Sequence, residues 1–443
     1  MRHGRSPGPS LRSYLLRGSA WMLLLRVAAM GLGLAVSALL ARGLGSAGFG
    51  LYSLVLSLVT ILALPLIGGL PTLLVREIAA ARAEGRPEVV LGVVRWGYRL
   101  VAAAALALAL AAAAVHAVAV AAGFWPMRPD QLGLAVLAVI CVPLLGLMHL
   151  QSGILTGHQR AVLGLLGEQL LRPLALCLVL LVAAGPLLGL GPAGALGLYV
   201  GATLAVAAVM AVVIANLLPE RGGTVPEIRH REWVLALLPL TMISATAIIK
   251  NNTDILVLGA LQPVEDVGIY RIGAQIAALA AFMMQIMRSL TAPTIAAAHA
   301  RQDRKALHTQ LVLAARASLA GALAVVLGLA LFGRALLGLV FGAEYEGAYG
   351  PCLALSLGTL VSAGCGLGNI ALQVTRHSDI VARAAVIAAV TNLVFNVLLV
   401  PFYGALGAAI GTALAMTIMQ LQLWASARRV LGLRTDAFQR VRT

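Results

Sequence analysis

The chain is 443 residues long, 61% hydrophobic and only 11% charged, with a mean hydropathy of +0.97, whereas an ordinary soluble domain is roughly 45–50% apolar and about 25% charged. This is the composition of an integral membrane protein, and long apolar runs without ten-residue alternation exclude a membrane β-barrel, a fibrous repeat and a disordered chain. A net charge of +16 and a pI near 10.9 would suggest nucleic acid as the partner of a soluble protein; in a membrane chain the excess follows from the basic residues that set topology, so no nucleic-acid partner is expected.

In chain order, a basic leader (Arg2, Arg5, Arg12, Arg17) precedes a first helix predicted over residues 15–41, with Arg26 near its centre. No small-residue cleavage site follows this run, so it is expected to be retained as a helix. A glycine-rich turn at 42–50 leads to a second helix at 51–74, and a charged loop at 76–95 to a third at 96–122. Trp125, Pro126 and Pro129 suit an interfacial turn before the fourth helix, 132–153. The link Thr156-Gly157-His158-Gln159-Arg160 introduces a fifth helix at 165–184, and a turn at 186–192 introduces a sixth at 193–217. The polar segment 218–232 reads as a linker between units 1–217 and 233–443. Six further helices are predicted at 233–261, 267–290, 311–332, 351–374, 381–401 and 404–427, with an exposed basic loop at 296–308 and a tail carrying Arg428, Arg429, Arg434, Arg440 and Arg442.

Sorting the 32 Lys and Arg residues over this map places Arg42, Arg128 and Arg334 on one side, Arg26, Lys250 and Arg271 within spans, and all the others on the side of the two termini. The asymmetry predicts cytoplasmic termini and an even number of spans. A repeat supports this count. Gly50-Leu51-Tyr52 recurs as Gly268-Ile269-Tyr270, Thr156-x-His158 recurs as Thr375-x-His377, and Gly194-Ala195-Leu196-Gly197-x3-Gly201-x2-Leu204-Ala205 recurs as Gly404-Ala405-Leu406-Gly407-x3-Gly411-x2-Leu414-Ala415. The expected fold is therefore all-α, with twelve transmembrane helices in two parallel six-helix lobes around a central cleft. Gly197/Gly201 and Gly407/Gly411 are expected to allow close helix approach within each lobe.

Nothing in the sequence has the spacing of an enzyme. It contains no H-E-x-x-H, no G-x-S-x-G and no phosphate-cradling loop, so no cofactor, metal or direct ATP use is expected. Cys141, Cys177, Cys352 and Cys365 lie in apolar runs and read as small hydrophobes. What stands out is charge inside the bilayer, which is costly and marks functional positions. Arg26, Lys250 and Arg271 are cationic, against Asp254 alone. Facing a cleft, the cations suit an anionic cargo such as a lipid phosphate or pyrophosphate; alternatively Arg26 and Arg271 snorkel or pair with carbonyls. Lys250 and Asp254, four apart, either neutralise one another or serve cargo binding and ion coupling. Asn251, Asn252, Gln285, Asn392 and Asn396 either line a sugar path or tie helices together. His116 and His149 read as satisfied within the bundle, and Glu168/Arg172 as a helix-face pair at the cytoplasmic start of the fifth helix.

Five stretches resemble a known family. Ala41-Arg42-Gly43-Leu44-Gly45-x2-Gly48-Phe49-Gly50-Leu51-Tyr52 and Gly69-Leu70-Pro71-x3-Val75-Arg76-Glu77-Ile78 are similar to the opening of polysaccharide-biosynthesis flippases of the Wzx type. Asp254-x3-Leu258-Gly259, Val267-Gly268-Ile269-Tyr270 and Tyr403-Gly404-Ala405-Leu406-Gly407-Ala408-Ala409 resemble its second-half signatures, with Arg271 where the family often has a small residue. The resemblance implies a member of the multidrug/oligosaccharidyl-lipid/polysaccharide (MOP) exporter superfamily, with two lobes around a cationic cleft. It implies an undecaprenyl-pyrophosphate-linked oligosaccharide moved from the cytoplasmic to the outer leaflet of a bacterial inner membrane. Membrane lipids and polysaccharide polymerase or export machinery would be its partners, and the protein a monomer. A lipid II flippase, a drug/cation antiporter of the same superfamily, and a membrane-embedded glycosyltransferase or polymerase are the alternatives.

Overall fold

The computed structural model describes residues 11–121, 129–182, 191–218, 225–432 and 435–439. The calls on Arg2, Arg5, Trp125, Pro126, Arg128, Arg434, Arg440 and Arg442, and much of the 218–232 linker, lie outside these residues. The described chain is all helical: α1 (Leu11–Leu62), α2 (Leu64–Ile67), α3 (Leu70–Ala83), α4 (Pro87–Ala121), α5 (Pro129–Gly157), α6 (Ala161–Leu166), α7 (Arg172–Val182), α8 (Pro192–Ala215), α9 (His230–Leu261), α10 (Val264–Ala300), α11 (Arg304–Phe341), α12 (Tyr349–Cys365), α13 (Gly368–Val374) and α14 (Ser378–Leu431). A π-helical turn, Gly167–Leu171, joins α6 to α7, and a 3-10 turn, Ala343–Ala348, joins α11 to α12.

Among the described residues ten helices are long and apolar enough to cross a membrane, or eleven with the bent α9 counted as one span. The predicted twelve differs because α14 holds two predicted spans, while the predicted second span, 51–74, is divided among the end of α1, α2 and the start of α3. α1 has 52 residues and is interrupted only by non-helical Gly45 (φ 67°); α14 has 54 residues and is interrupted at Gly404 (φ 52°). A straight helix of that length would be roughly 80 Å long, far beyond the ~30 Å hydrocarbon core. The positive φ at both positions is open to glycine and costly for other residues. Other boundaries move outward from the prediction: α3 and α4 together take in most of the loop expected at 76–95, and α10 and α11 most of the one expected at 296–308.

At the end opposite the start of α1, the two halves are pressed together. Gly50 and Gly268, the repeated glycines, face each other: a Cβ on Gly50 would run into the Val264 carbonyl oxygen, and one on Gly268 into that of Ser46. Around this crossing, the Ser46 amide freed by the Gly45 kink donates to Glu344 (2.9 Å), and Arg42 donates to the carbonyls of Val340 (2.9 Å) and Leu339 at the end of α11. Phe49, Tyr52, Phe341 and Tyr345 join one core with residues from both halves.

Toward the other end, two broken helices cross at their breaks. α9, with Pro239 in its interior, bends by 42° between His230–Met242 and Ser244–Leu261. Ser244 Oγ donates to the Gly68 carbonyl (2.8 Å), and a Cβ on Gly69 would strike Thr241. The first part of α9 belongs to the N-terminal core: Trp233 packs on Trp96 (5.5 Å between ring centroids), and Trp96 Nε1 donates to His230 Nδ1 (2.8 Å). α9 thus straddles the halves. Before it, Glu227 accepts from Arg86 (2.7 Å) and Arg229 (2.8 Å). The Arg229 hydrogen bond, with Arg86 beside it, holds the Glu227 carboxyl below the usual carboxylate range.

The expected close packing at paired glycines holds only in the second half. Gly407 meets the Leu399 carbonyl across the α14 kink and Gly411 the Phe395 Cβ (3.2 Å), whereas Gly201 has nothing within 4 Å. Gly268→Ala should therefore lower stability by about 1–3 kcal/mol through overpacking, and Gly201→Ala should not. Thermal unfolding of the detergent-solubilised variants reads the difference, and equal midpoints would rule out a close crossing at Gly268.

Candidate functional site

Below the glycine crossing, cavities open along the line where the halves meet. The largest, about 650 Å³, lies between α1, α5, the π turn, α7 and α8 on one side and α9 and α10 on the other. The N-terminal half presents Arg172, Glu168, His149, Tyr52 and Tyr199, and the C-terminal half presents Arg271, Asn251, Asn252 and Gln275. Ser37, Ser53, Ser57 and Thr60 of α1 add hydroxyls. A second cavity, about 370 Å³, lies in the C-terminal half and includes Lys250, Asp254, Tyr270, Asn392 and Thr412. Asn251 and Arg271 line both cavities and so stand in their common wall. A third, about 400 Å³, holds Arg26 and Gln285 and shares Glu168 and Arg172 with the central cavity.

The arrangement differs from the expectation that Arg26 and Arg271 share one cleft. Arg26, half-buried, reaches Ser289 Oγ at 3.4 Å from the third cavity. Arg172 is the cation that the third and central cavities share. Its guanidinium sits 5.3 Å from the centroid of the Tyr199 ring, a cation–π contact that holds the head group without removing its charge. Glu168 and Arg172 are not the predicted helix-face pair; among the described residues Glu168 pairs instead with His149, whose Nε2 lies 3.3 Å from Oε1. His149 Nδ1 lies 3.0 Å from the Leu145 carbonyl, which can only accept, so Nδ1 carries a proton. His149 is satisfied within the bundle as expected, but on the cavity wall. His116 is not: it stands exposed on α4.

The local geometry that aims these groups is irregular. Glu168 opens the π turn and Arg172 follows it, with Pro173 next in sequence. π turns are rare and recur at functional sites, because the extra residue re-aims side chains. Arg172 therefore stands deep in the bundle, where the topology count had assigned it to a cytoplasmic flank. Arg288 was assigned to a flank in the same way and lies inside α10, with a buried Nε that has no partner among the described residues.

Asp254 is 5% exposed and does not pair with Lys250: no ion pair joins them among the described residues. Its carboxylate accepts instead from Tyr270 Oη (2.5 Å), Thr412 Oγ1 (2.8 Å) and Asn396 Nδ2 (2.9 Å). Asn392 Nδ2 donates to Thr412 (2.9 Å), while Oδ1 of both Asn392 and Asn396 is buried without a partner among the described residues. Three hydrogen bonds from α10 and the two arms of α14 thus converge on the carboxyl group of Asp254 in α9. Asn252 donates to the Ile248 carbonyl (2.8 Å) on the central cavity's wall. Thr412 was not singled out in the sequence, and Tyr270 was noted there only within a repeated, family-like motif and not as a site residue. The same-face spacing of Asn392 and Asn396 was the available signal, and their meeting with Asp254 is tertiary.

A family model described as polysaccharide biosynthesis protein matches residues 15–299. Two curated proteins of Haloferax volcanii are similar to part of the chain. The probable low-salt glycan biosynthesis flippase Agl15 is 24% identical over 165 residues, and the probable flippase AglR 31% identical over 179. Each alignment covers 37% of this chain and 35% of the relative. Among solved structures, an inward-facing multidrug resistance MATE family transporter of the MOP superfamily matches with a TM-score of 0.71 at 16% identity, covering 93% of this chain and 98% of that one. The lipid II flippase MurJ, inward closed, matches with 0.70 at 14% identity, covering 91% and 87%. At these identities the structures establish the fold.

Thr412→Val keeps the side chain's shape and removes one donor to a buried carboxylate, so stability should fall by about 1–3 kcal/mol. Thr203→Val, whose hydroxyl returns to the Tyr199 carbonyl of its own helix, should cost less. Equal thermal midpoints for the two variants would show that Thr412 does not hold Asp254.

Proposed function

The chain belongs to the family of polysaccharide biosynthesis proteins, and from that membership we propose that it is a flippase for a polyprenyl-pyrophosphate-linked oligosaccharide, carrying it from the cytoplasmic to the outer leaflet by alternating access. The observation that carries this reading is the placing of Arg26, Arg172 and Arg271 along adjoining cavities between the halves, beneath an end sealed by Gly50 and Gly268. A pyrophosphate taken into an apolar bundle unaided would cost tens of kcal/mol in the low-dielectric idealisation. Guanidinium groups offset this by bidentate hydrogen bonds. The pyrophosphate would pass from Arg26 to Arg172 and Arg271, the sugars would lie against Asn251, Asn252 and the hydroxyls of α1, and the prenyl chain would stay in lipid. With the cell interior negative, outward movement of the anion is downhill by ~2.3 kcal/mol per charge per 100 mV.

Asp254 enters this reading as an ion-coupling group. A monovalent cation beside it would meet the carboxylate together with the partnerless amide oxygens of Asn392 and Asn396. The remaining cavity charge favours an anionic cargo over a cationic drug: Asp254 is met by three donors and Glu168 faces the His149 ring, whereas Arg172 and Arg271 have no carboxylate partner among the described residues. Glu168 and Asp254 line different cavities, so they do not form the convergent acid and base that glycosyl transfer calls for. The lipid II cargo is the second reading, favoured by the likeness to MurJ in fold. We place the protein in the inner membrane of a bacterium with both ends cytoplasmic, as the excess of basic residues on that side supports.

Arg172→Ala and Arg271→Ala, at normal protein level, should each reduce appearance of the cargo glycan on the cell surface by about tenfold or more, the scale of losing a hydrogen-bonded charge pair. Arg172→Lys should restore little, since it keeps the charge without the planar fork. Unimpaired export in both alanine variants would overturn the cationic path, and accumulation of lipid II in place of the glycan precursor would select the second reading.

A further inference from the structure

A separate group of cations lies at the end of the molecule where α1 begins, away from the transport cavities. There the α3–α4 turn, the α5–α6 turn and the end of α8 enclose a pocket of about 340 Å³ containing Arg82, Arg86, His158 and Arg160, with Val90 and Leu217 as apolar walls. That volume lies within the range of roughly 300–1,000 Å³ typical of small-molecule sites. Its charges are unequally matched. Arg86 is taken up by carboxylates, donating to Glu227 at 2.7 Å and Glu88 at 3.4 Å with Glu84 at 3.7 Å. Arg82 and Arg160 make no ion pair among the described residues. His158 lies 2.9 Å through Nδ1 from the Ile154 carbonyl, which leaves Nε2 uncommitted. Burial first, and then Arg82 and Arg160, press its pKa down, so both guanidinium charges are felt at the imidazole.

Depth identifies what would fill such a pocket. The apolar spans end at Ala83, Gly157 and Ala215, and begin again at Pro87 and Ala161. Arg82, in the last turn of α3, and Arg86, His158 and Arg160, in the turns between helices, therefore sit at the ends of helices long and apolar enough to cross a membrane, where lipid phosphates lie, with apolar walls continuing inward. Gly85, at the rim, leaves open space where another residue would carry a side chain. A basic pocket between span ends is a recognised way of holding an acidic head group.

We propose that this pocket binds the phosphate of an anionic membrane phospholipid, at a site distinct from the transport path. Arg82 and Arg160 grip the phosphate oxygens, His158 lines the cradle and gains a donor at Nε2 only when the bound anion draws a second proton onto its ring, and the acyl chains leave along the walls toward the bilayer. The site needs none of Arg26, Arg172 or Arg271 and stands whether or not the proposed cargo is right.

Native mass spectrometry of the full-length protein in mild detergent tests it, with phosphatidylglycerol and phosphatidylcholine added in parallel. The wild type should retain phosphatidylglycerol in preference, and R82Q/R160Q should lose that retention by about tenfold or more, the scale of losing two basic contacts to an anionic lipid. R231Q, at an exposed arginine of the same end outside the pocket, should retain it as the wild type does. Equal retention of both lipids by the wild type, or undiminished phosphatidylglycerol on R82Q/R160Q, overturns the proposal. So does a wild type that holds no lipid while added inorganic phosphate shifts the His158 ring resonances, because the site would then serve a soluble anion. Thermal unfolding of R82Q/R160Q should match the wild type, since both side chains are exposed.

Discussion

The close approach of Gly50 and Gly268 governs the rest of the molecule. With no side chain at either position, α1 and α10 touch backbone to backbone at one end, and the halves can diverge toward the other. The aromatic residues around the crossing and the ties from Arg42 and Glu344 make that end a packed core common to both halves. Everything polar lies beneath it. The cavities are the space that two helical bundles, joined at this edge and by the first part of α9 toward the other, cannot fill.

Within that space charges are handled in two ways. Glu168 and Asp254 are satisfied by neighbours, one by His149 and the other by Tyr270, Thr412 and Asn396. Arg172 rests against the Tyr199 ring, and it and Arg271 both line the central cavity. Among the described residues the cavity's acids meet polar partners and these two bases no carboxylate, a property of side-chain neighbours that the count of charged residues does not convey.

Much of this was legible in the sequence. Apolar runs gave the membrane class and nearly every helix. The repeat pointed to Gly50 and Gly268 and to two related halves, and the resemblance to polysaccharide-biosynthesis flippases agrees with the family match. What sequence could not show was where one span ends and the next begins when the backbone stays helical through a kink, as at Gly45 and Gly404. Hydropathy also misplaced Arg172 and Arg288, because an arginine near the end of an apolar run reads as a flank until the helix is seen to continue past it. Asp254 shows the same limit. Its sequence neighbour Lys250 suggested a local pair, yet its partners are brought by α10 and α14, and contacts across that distance leave no periodic trace.

Arg271 belongs to two chambers at once, and a single guanidinium cannot serve both equally. An anion that engages it from the central side weakens its repulsion of any cation resting near Asp254. Linkage then works in reverse with the same factor: a cation settled there strengthens the grip on the anion. Under the proposed reading, one side chain in a shared wall would be enough to make two such occupancies thermodynamically interdependent, with no movement of the backbone between them.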